Sequence, residues 1–556
     1  MAKFNFRSGK HYSIGCGIFS WPLGARLSSA AFRQFVERMF GMYFKPKRAT
    51  FRRAHSIPYP IDKCSMGILS YQVMVASIRN FTLLLVATLL FLPQASINAA
   101  PIERDPANPH YFLFHGKPTI LITSGEHYGA VINRKFNYRV YLNTLQDCGF
   151  NLTRTFAGTY REIPGTFGIA GNTLAPTNPG DFVCPWARSN ISGAGDGGNK
   201  FNLNSFNPVY FKRLKNFVSE ADKRGIVVEL TLFSAIYNQP LWAVNPMNAH
   251  NNIQGIGQVG RFDVYNLKHK RLLAVQMALV KKIVTELRGS SNVYYEICNE
   301  PYYGGVSAAW SAKIAAVIAQ ADRGRGTLHL IAQNMANVST KIAHPNSLVS
   351  IFNFHYATPE AVKLNYRFNC PIADDETGFN GKANYTYRMQ AWKFMLAGGA
   401  VFDNLDYSFT ATSPNGTAPL TTSPGGGGKK LREQLKVLKT FLDGFNLVKM
   451  RPDNRVLKIC GIPGATHDLH LNAPTAEVLA QLGQAYAIYI YGGSQADIVL
   501  KLPAGHYQSQ WIATRTGSVV GKKLLLLSAD KGTTFKSPVY SRDIALRVTR
   551  IPQPRK

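Results

Sequence analysis

Residues 269–301, which read HKRLLAVQMALVKKIVTELRGSSNVYYEICNEP, are the most informative about the fold. The first part of this stretch, 269–288, is amphipathic, and Gly289 follows directly, where a helix can end in a conformation that needs no side chain. Its second part, 293–297, is a short apolar run without the alternation that would leave one face in water, which is typical of a strand covered on both sides. The stretch therefore predicts one helix–strand unit of a parallel sheet.

The same alternation of amphipathic stretches and short apolar runs continues on both sides of this unit. Eight strands are predicted, at 119–124, 152–157, 227–233, 293–297, 328–332, 350–354, 371–374 and 400–404. Helices are predicted at 137–148, 208–224, 269–288, 308–322 and 429–443. Eight strand–helix units over about 330 residues predict an α/β fold, a (β/α)8 TIM barrel with long loops.

A doubly wound open sheet is the structural alternative. Such a sheet more naturally carries a glycine-rich phosphate turn after its first strand. Here that turn is Ser124-Gly125-Glu126-His127-Tyr128, which holds one glycine and a carboxylate. The turn therefore favours the barrel.

The pattern of the sequence changes beyond residue 451. Strand-like segments at 486–493, 498–502, 508–514 and 544–548 are separated by Gly and Pro turns. This pattern predicts a small antiparallel β-sandwich. The predicted domains are the barrel at 101–448 and the sandwich, as an accessory domain, at 449–556.

The first hundred residues indicate export. Residues 81–92 are twelve residues without a charge, and a small-residue stretch that ends at Ala100 follows them, as in a signal peptide. Met74 is a simple start for that peptide, so 74–100 is predicted to be the signal peptide and 1–73 a basic leader from a start site placed too early. A basic cytoplasmic tail before a signal anchor is the alternative. We expect a secreted, periplasmic or cell-surface protein without a stable membrane anchor after cleavage.

Composition excludes several classes of protein. The chain has 556 residues, of which 46% are hydrophobic, and a mean hydropathy of -0.10, which argues against a multispanning membrane protein. Its net charge of +32 raises the possibility of a nucleic-acid partner. However, 1–79 hold 13 Lys and Arg against 2 Asp and Glu, and no nucleic-acid module is recognisable, so we expect no nucleic-acid partner. A basic surface could instead draw in acidic polysaccharides.

Two glutamates follow predicted strands at positions where barrel enzymes carry reactive groups. The fourth strand leads into Glu300 and the seventh into Glu376, and these strands face each other across part of the barrel mouth. Cleavage of a glycosidic bond with retention needs two carboxyl groups about 5 to 5.5 Å apart. Arg154, at the end of the second strand, and Tyr356, after the sixth, are candidate hydrogen-bond donors to Glu376. Glu300 and Glu376 are therefore candidates for these two carboxyl groups.

The motifs that carry a family resemblance are Asn299-Glu300-Pro301, Glu376-Thr377-Gly378, Arg154 and His355-Tyr356. With these motifs, roughly residues 110–445 resemble the clan of retaining (β/α)8 glycoside hydrolases that includes cellulases, mannanases and β-galactosidases, most closely its family-five-like members. The end of the chain is similar to the β-sandwich, in some cases labelled collagen-binding, that follows such barrels.

The resemblance implies a role for each matched residue. Glu300 becomes the acid/base, Glu376 the nucleophile and Asn299 the partner of a sugar 2-hydroxyl. It also implies a polysaccharide or oligosaccharide substrate and no cofactor. Two features of family five are missing, a His after strand three and a Trp after strand eight, so the identity of the sugar stays open.

Further residues are candidates for the substrate site. Glu126 and His127 follow the first strand, and either line the pocket or form a structural hydrogen bond. Asp406 follows the eighth strand and either replaces the missing platform contact or caps a loop. Six aromatic residues could stack on sugar rings, with Tyr302 and Tyr303 best placed and Trp186, Trp242, Trp392 and Tyr407 as the others.

Two alternative functions remain open from the sequence. Asp374 and Asp375 beside Glu376 suggest a metal site, but neighbours on a strand point to opposite faces, so we expect none. A non-catalytic carbohydrate-binding barrel would keep the fold without turnover. The presence of both glutamates favours the enzyme.

Overall fold

The structure is a computed structural model that describes residues 100–324, 328–421, 423–461, 475–527 and 531–552. The predicted leader 1–73 lies outside the described residues, as does the predicted signal peptide except for its last residue, Ala100. Among the described helices, none is long and apolar enough to cross a membrane.

The first part of the described chain alternates strands and helices. The strands are β1 (Glu103–Arg104), β2 (Phe112–Phe114), β3 (Lys117–Thr119), β4 (Leu121–Gly125), β5 (Leu152–Phe156), β6 (Trp186–Ser192), β7 (Asn199–Phe206), β8 (Val227–Ser234), β9 (Val293–Asn299), β10 (Ile331–Asn337), β11 (Ile351–His355), β12 (Ile372–Thr377) and β13 (Val401–Leu405). The α-helices are α1 (Tyr138–Asp147), α2 (Pro208–Asp222), α3 (Gln239–Ala243), α4 (Lys270–Leu287), α5 (Ala308–Ala321), α6 (Pro359–Asn365), α7 (Asn384–Leu396) and α8 (Lys429–Asp443).

Eight of these strands form one parallel sheet, in the order β4-β13-β12-β11-β10-β9-β8-β5. Between β8 and β9, for example, Leu230 lies opposite Tyr295. The two ends of this order are joined through Asn151, whose amide donates to the Ile120 carbonyl (2.7 Å) and whose oxygen accepts from the Ile122 amide (3.0 Å). The sheet is therefore a nearly closed barrel, and the predicted fold class is confirmed.

The strand positions were predictable because the barrel covers its strands on both sides. Every residue of β4, β5, β8, β9, β11, β12 and β13 is buried. Side chains fill the inside and helices cover the outside, so the strands are apolar runs rather than alternating ones. All eight predicted barrel strands are present, with shifted ends.

Helix α7 is the longest helix that the periodicity did not predict. It has 13 residues, and buried side chains such as Tyr387, Trp392 and Phe394 point in several directions around it. The barrel covers one side of α7 and the C-terminal domain another, for example where the Trp392 ring stacks on Tyr489 at 5.3 Å. A helix covered on two sides has no single apolar stripe, which explains why the pattern was missed.

Irregularities in the barrel shape the site. The connection between β5 and β8 is long and carries the β6–β7 hairpin. In the pairing of β11 with β12, Phe354 lies opposite Asp374 and His355 lies opposite Glu376, so Asp375 is an extra residue. This bulge lets Asp375 and Glu376 both reach the barrel interior, so the expectation that adjacent side chains here point to opposite faces was wrong.

The C-terminal part consists of antiparallel strands. They are β14 (Arg451–Pro452), β15 (Leu457–Gly461), β16 (Thr475–Gln481), β17 (Ala485–Tyr491), β18 (Asp497–Leu502), β19 (Gly505–Ile512), β20 (Val519–Leu527), β21 (Lys531–Lys536) and β22 (Asp543–Arg550). One sheet has the order β14-β16-β17-β22-β19-β20 and the other β15-β18-β21. Buried side chains such as Ile488, Leu500 and Trp511 form the core, as predicted for a β-sandwich.

A buried ion pair joins the sandwich to the barrel. Arg388 on α7 donates to both carboxylate oxygens of Asp543 on β22, at 2.9 and 2.7 Å. Tyr489 donates to the same carboxylate (2.9 Å), and Gln434 on α8 accepts from Arg388 (2.6 Å). The sandwich is thus packed directly against α7 and α8.

Candidate active site

Glu300 and Glu376 meet in one pocket at the C-terminal end of the barrel strands. The pocket has a volume of about 410 Å³, and both glutamates line it. His355 lies below them, with its Nδ1 atom 3.1 Å from Oε1 of Glu300 and 3.4 Å from Oε1 of Glu376. One carboxylate oxygen of each glutamate and a ring nitrogen of His355 all lie within 4.8 Å of one another.

The backbone is strained at four residues that line this pocket, one of which is Phe167 with a φ angle of 53°. Glu300, Tyr128 and Tyr356 have φ angles of 43°, 58° and 53°, in the left-handed region that residues with a side chain rarely adopt. Such a conformation costs of order 1–3 kcal/mol per residue and persists only where the surroundings enforce it. Strain at four residues around one pocket is typical of a functional site.

Glu376 accepts hydrogen bonds from several donors. Its Oε2 accepts from the Tyr128 hydroxyl (2.9 Å) and from Nη1 of Arg154 (3.1 Å), and its Oε1 accepts from the Tyr356 hydroxyl (3.4 Å). Hydrogen bonds to the charged form of a carboxyl group stabilise that form. These contacts hold the Glu376 carboxylate in place at the edge of the pocket.

Glu300 has a different environment. Its Oε2 accepts from the Tyr237 hydroxyl at 2.5 Å, and its Oε1 faces His355. Burial opposes ionisation, but the hydrogen bond and the charge of His355 lower the pKa of Glu300. Burial likewise opposes protonation of His355, and the charges of Glu376 and Glu300 outweigh it and raise the pKa of His355. In the free site the proton is therefore favoured on His355.

A group of buried carboxylates lies beneath the pocket. Arg154 donates to Glu296 (2.6 Å), and its Nε lies 3.4 Å from Asp375. The Asn353 amide bridges Glu229 (2.6 Å) and Asp375 (2.7 Å). Burial raises the pKa of Glu229 to about 7, and burial also raises the pKa of Asp375. In this group the acidic side chains outnumber the single guanidinium, which is that of Arg154.

Two sets of side chains have metal-ligand spacing. They are Glu300 with His355 and Glu376, and Glu296 with His355 and Asp375. The guanidinium of Arg154 contacts Glu296, Asp375 and Glu376, so a cation already compensates both sets. A resident metal ion would have to share this space with a positive charge, which disfavours it.

The structure brings most of the predicted residues to the pocket. Asn299, Tyr356 and His127 line it together with the two glutamates. Arg154 and His355 lie beneath it and are buried. Tyr302 lies at the rim, 40% exposed, where its hydroxyl donates to Asn337 (2.5 Å) and lies 3.5 Å from Glu300.

The prediction that Glu126 binds substrate is wrong. Its carboxylate turns back onto its own loop and accepts from the amides of Gly129 (2.9 Å) and Ala130 (2.8 Å) and from the Thr173 hydroxyl. Burial raises the pKa of Glu126 to about 7. The residue therefore shapes the loop after β4, and it is the structural alternative that holds.

The prediction that Asp406 binds substrate is also wrong. Its carboxylate accepts from Arg432 on α8 (2.5 Å) and from the Gly428 amide just before α8 (2.8 Å). Asp406 thus joins the loop after β13 to the start of α8. Of the six aromatic candidates, Trp186, Trp242 and Trp392 are buried in the core.

Sequence reasoning missed several residues of the pocket. Tyr128 directly follows Glu126 and His127, and Tyr237 lies three residues past the end of β8, so both carried the signal of an aromatic residue after a strand. Glu162 lines the pocket and accepts from the Tyr160 hydroxyl (3.0 Å). Glu162 and Phe167 lie in the long connection after β5, where no local pattern marks them.

Comparisons with solved structures identify the fold. No protein-family model matches the sequence, and no curated protein sequence matches it. A solved glycoside hydrolase matches with a TM-score of 0.54 and 14% identity, over 81% of this chain and 97% of that one. A family 5 glycoside hydrolase from Bacteroides vulgatus also matches with a TM-score of 0.54 and 14% identity, over 81% and 93% of the two chains. At this identity the matches show the fold, a TIM barrel with a β-rich C-terminal domain, as the resemblance implied.

Proposed function

We propose that the protein is a retaining glycoside hydrolase that cleaves O-glycosidic bonds of a polysaccharide or oligosaccharide by double displacement. The observation that carries the proposal is the pair Glu300 and Glu376, whose carboxylate oxygens approach within 4.8 Å in one pocket. This spacing suits direct attack by one carboxylate, whereas an inverting enzyme needs about 6.5–9.5 Å to seat a water between the two groups. The solved structures of similar fold support the same class.

The proposed reaction has two steps. In the first, a carboxylate oxygen of Glu376 bonds to the anomeric carbon while Glu300 gives its proton to the departing oxygen, so the glycosidic bond breaks and a glycosyl ester forms. In the second, Glu300 takes a proton from water, and the water oxygen bonds to the anomeric carbon as the ester breaks. Protons and electron pairs balance over the two steps, and Glu376 is regenerated.

In this proposal His355 supplies the proton that Glu300 needs to act as the acid. The acid step needs a proton on Glu300, whereas the unliganded site favours it on His355. The two groups are in hydrogen-bond contact at 3.1 Å, so transfer from Nδ1 to Oε1 moves the proton over one bond. Tyr128, Arg154 and Tyr356 meanwhile hold Glu376 by hydrogen bonds. The two carboxyl groups thus have distinct environments, as the roles of acid and nucleophile require.

Azide rescue tests these assignments. Glu376→Ala should abolish turnover, and azide should restore it by attacking the anomeric carbon, which gives an inverted glycosyl azide. Glu300→Ala should keep most activity on aryl glycosides with good leaving groups, because these need little protonation. Full activity of Glu376→Ala without azide would rule out the proposed nucleophile.

Export forms part of the proposal. The predicted signal peptide 74–100 motivates it, and a secreted, periplasmic or cell-surface location would suit action on a polysaccharide. Expression of the full chain in a bacterial host, followed by N-terminal sequencing of the exported product, tests it. A mature protein that starts near residue 101 is expected, and retention of the uncleaved chain in the cytoplasm would contradict export.

A further inference from the structure

Six ring side chains form a continuous series of contacts around the mouth of the pocket, which we name the aromatic belt. In order, the belt consists of Tyr303, Tyr237, Phe167, Phe379, Tyr407 and His127. Consecutive ring centres lie 5.2–6.3 Å apart. These rings follow β9, β8, β5, β12, β13 and β4, and because β5 and β12 are not neighbours in the barrel, the contact of Phe167 with Phe379 crosses the mouth of the pocket.

Phe167 closes this belt across the barrel mouth. Its ring lies 5.2 Å from Tyr237, which donates to Glu300, and 6.3 Å from Phe379, which lies three residues after Glu376. Phe167 has a φ of 53°, and its side chain is 42% exposed. The ring is therefore held at the outer edge of the pocket rather than in the core.

Burial differs between the two sides of the pocket. Inside the belt, Tyr160, Glu162 and Leu174 line the pocket and are at most 2% exposed. On the side of β10, Tyr302 and Val338 are 40% and 49% exposed. The end of the pocket near β4 and β5, which we call the closed end, thus has a buried floor beneath the rings of Phe167 (42% exposed) and Phe379 (36%), whereas the side towards β10, the open side, carries no ring of the belt.

The closed end offers groups that suit sugar hydroxyls. His127 lines it, and Nδ1 of His127 is buried without a hydrogen-bond partner among the described residues. Its Nε2 lies 3.3 Å from Glu162, which also lines the pocket. A buried polar atom without a partner costs free energy unless a ligand supplies one. These groups point to a polar ligand that fills the closed end.

The proposed reaction indicates which part of the substrate lies at each end of the pocket. The acid must contact the departing oxygen, and Glu300 lies on the same side as Tyr302 and Asn337, so the leaving group extends towards the open side. Resting on the proposed function, we infer that the enzyme is exo-acting, because the closed end accommodates only the terminal one or two sugars of a chain. Phe167 is the specificity-determining residue, since its ring blocks the path of an internal sugar.

The first products released from a panel of polysaccharides and 4-nitrophenyl glycosides test whether the enzyme is exo-acting. The full-length protein should cleave a 4-nitrophenyl monosaccharide or disaccharide, and its first products from a polymer should be mono- or disaccharides, with little loss of viscosity. Phe167→Ala should open the path and raise the viscosity loss per bond cleaved by roughly ten-fold. Phe262→Ala, which removes another exposed ring (52%) outside the belt, is the matched control and should change nothing.

The outcomes separate the two proposals. A ladder of long oligosaccharides as the first products of the wild-type protein would overturn exo action, and an unchanged product pattern in a folded Phe167→Ala variant would overturn the role of Phe167. Lack of cleavage of every glycoside by the wild-type protein would instead overturn the proposed hydrolase.

Discussion

Arg154 in the barrel and Arg388 at the edge of the sandwich are both buried and both paired with acids, but their surroundings differ. Arg388 and Asp543 form a one-to-one pair with two hydrogen bonds. Arg154 faces Glu296, Asp375 and Glu376 at once. The interface pair is balanced in charge, whereas the group below the pocket holds an excess of carboxylates.

The difference shows how a structural ion pair can be told from a functional one. A balanced pair with two hydrogen bonds holds two elements together. In the unbalanced group, burial raises the pKa values of Glu229 and Asp375, and the neighbouring carboxylates raise them further. Perturbed pKa values are concentrated at functional sites. In the site of Arg154, Asp375 Oδ1 and His355 Nε2 also have no hydrogen-bond partner within the described residues. The excess of carboxylates around Arg154 distinguishes this group from the balanced pair of Arg388 and Asp543.

Loss of Arg154 should have the largest effect. Arg154→Met removes the one guanidinium from the group and leaves three buried carboxylates facing each other. We expect a loss of roughly 3–5 kcal/mol in the free energy of unfolding. At a temperature where the variant stays folded, kcat should fall by about 10²-fold or more, because Glu376 loses a donor. Urea unfolding and kinetics check this, and a stable variant with full activity would contradict the comparison.

Loss of Arg388 should lower the stability of the protein and leave its activity nearly unchanged. Arg388→Met leaves Asp543 buried without its cation, so the free energy of unfolding should fall by roughly 3–5 kcal/mol. Activity of the folded protein should stay within about two-fold of the wild type, since the pair lies at the sandwich interface and not at the pocket. A large loss of kcat in the folded variant would show that the interface pair is not purely structural.

The raised pKa of Glu229 predicts a pH dependence of stability. The folded state holds this proton more tightly than the unfolded state, where the pKa is near 4.5, so stability should decrease as pH rises from about 4.5 through about 7. The contribution is roughly 3 kcal/mol. Glu229→Gln mimics the protonated form and should flatten this slope. Urea unfolding at several pH values measures it, and equal slopes in both proteins would be inconsistent with a raised pKa.

Two tyrosine hydroxyls should give the smallest effects. Tyr128 and Tyr302 each reach one of the two proposed catalytic carboxylates, but Tyr128 is buried and Tyr302 is 40% exposed. Tyr128→Phe should lower kcat/KM by about ten-fold, whereas Tyr302→Phe should lower it by less than about three-fold, since water can replace an exposed hydrogen bond. The reverse order would show that burial does not set the strength of these contacts.

Much of the architecture could be predicted because it depends on local pattern. The eight strands and five helices have periodicities that the chain displays locally, and Glu300 and Glu376 stand where strands end. Glu126 and Asp406 also stand at strand ends, but hydrogen bonds with Thr173 and Arg432, far away in sequence, turn them from the pocket. Contacts between distant loops, such as those of Phe167, leave no trace in local sequence.

Glycan release from a broad polysaccharide panel, read by mass spectrometry, is the decisive test of the proposed hydrolase. The wild-type protein is compared with Glu376→Gln, which keeps the shape of the proposed nucleophile and replaces its carboxyl group with an amide. We expect the wild type to release sugars and Glu376→Gln to release none. Equal release by both proteins, or binding of a glycan without release by either, would contradict the account, and the second result would indicate a non-catalytic carbohydrate-binding barrel.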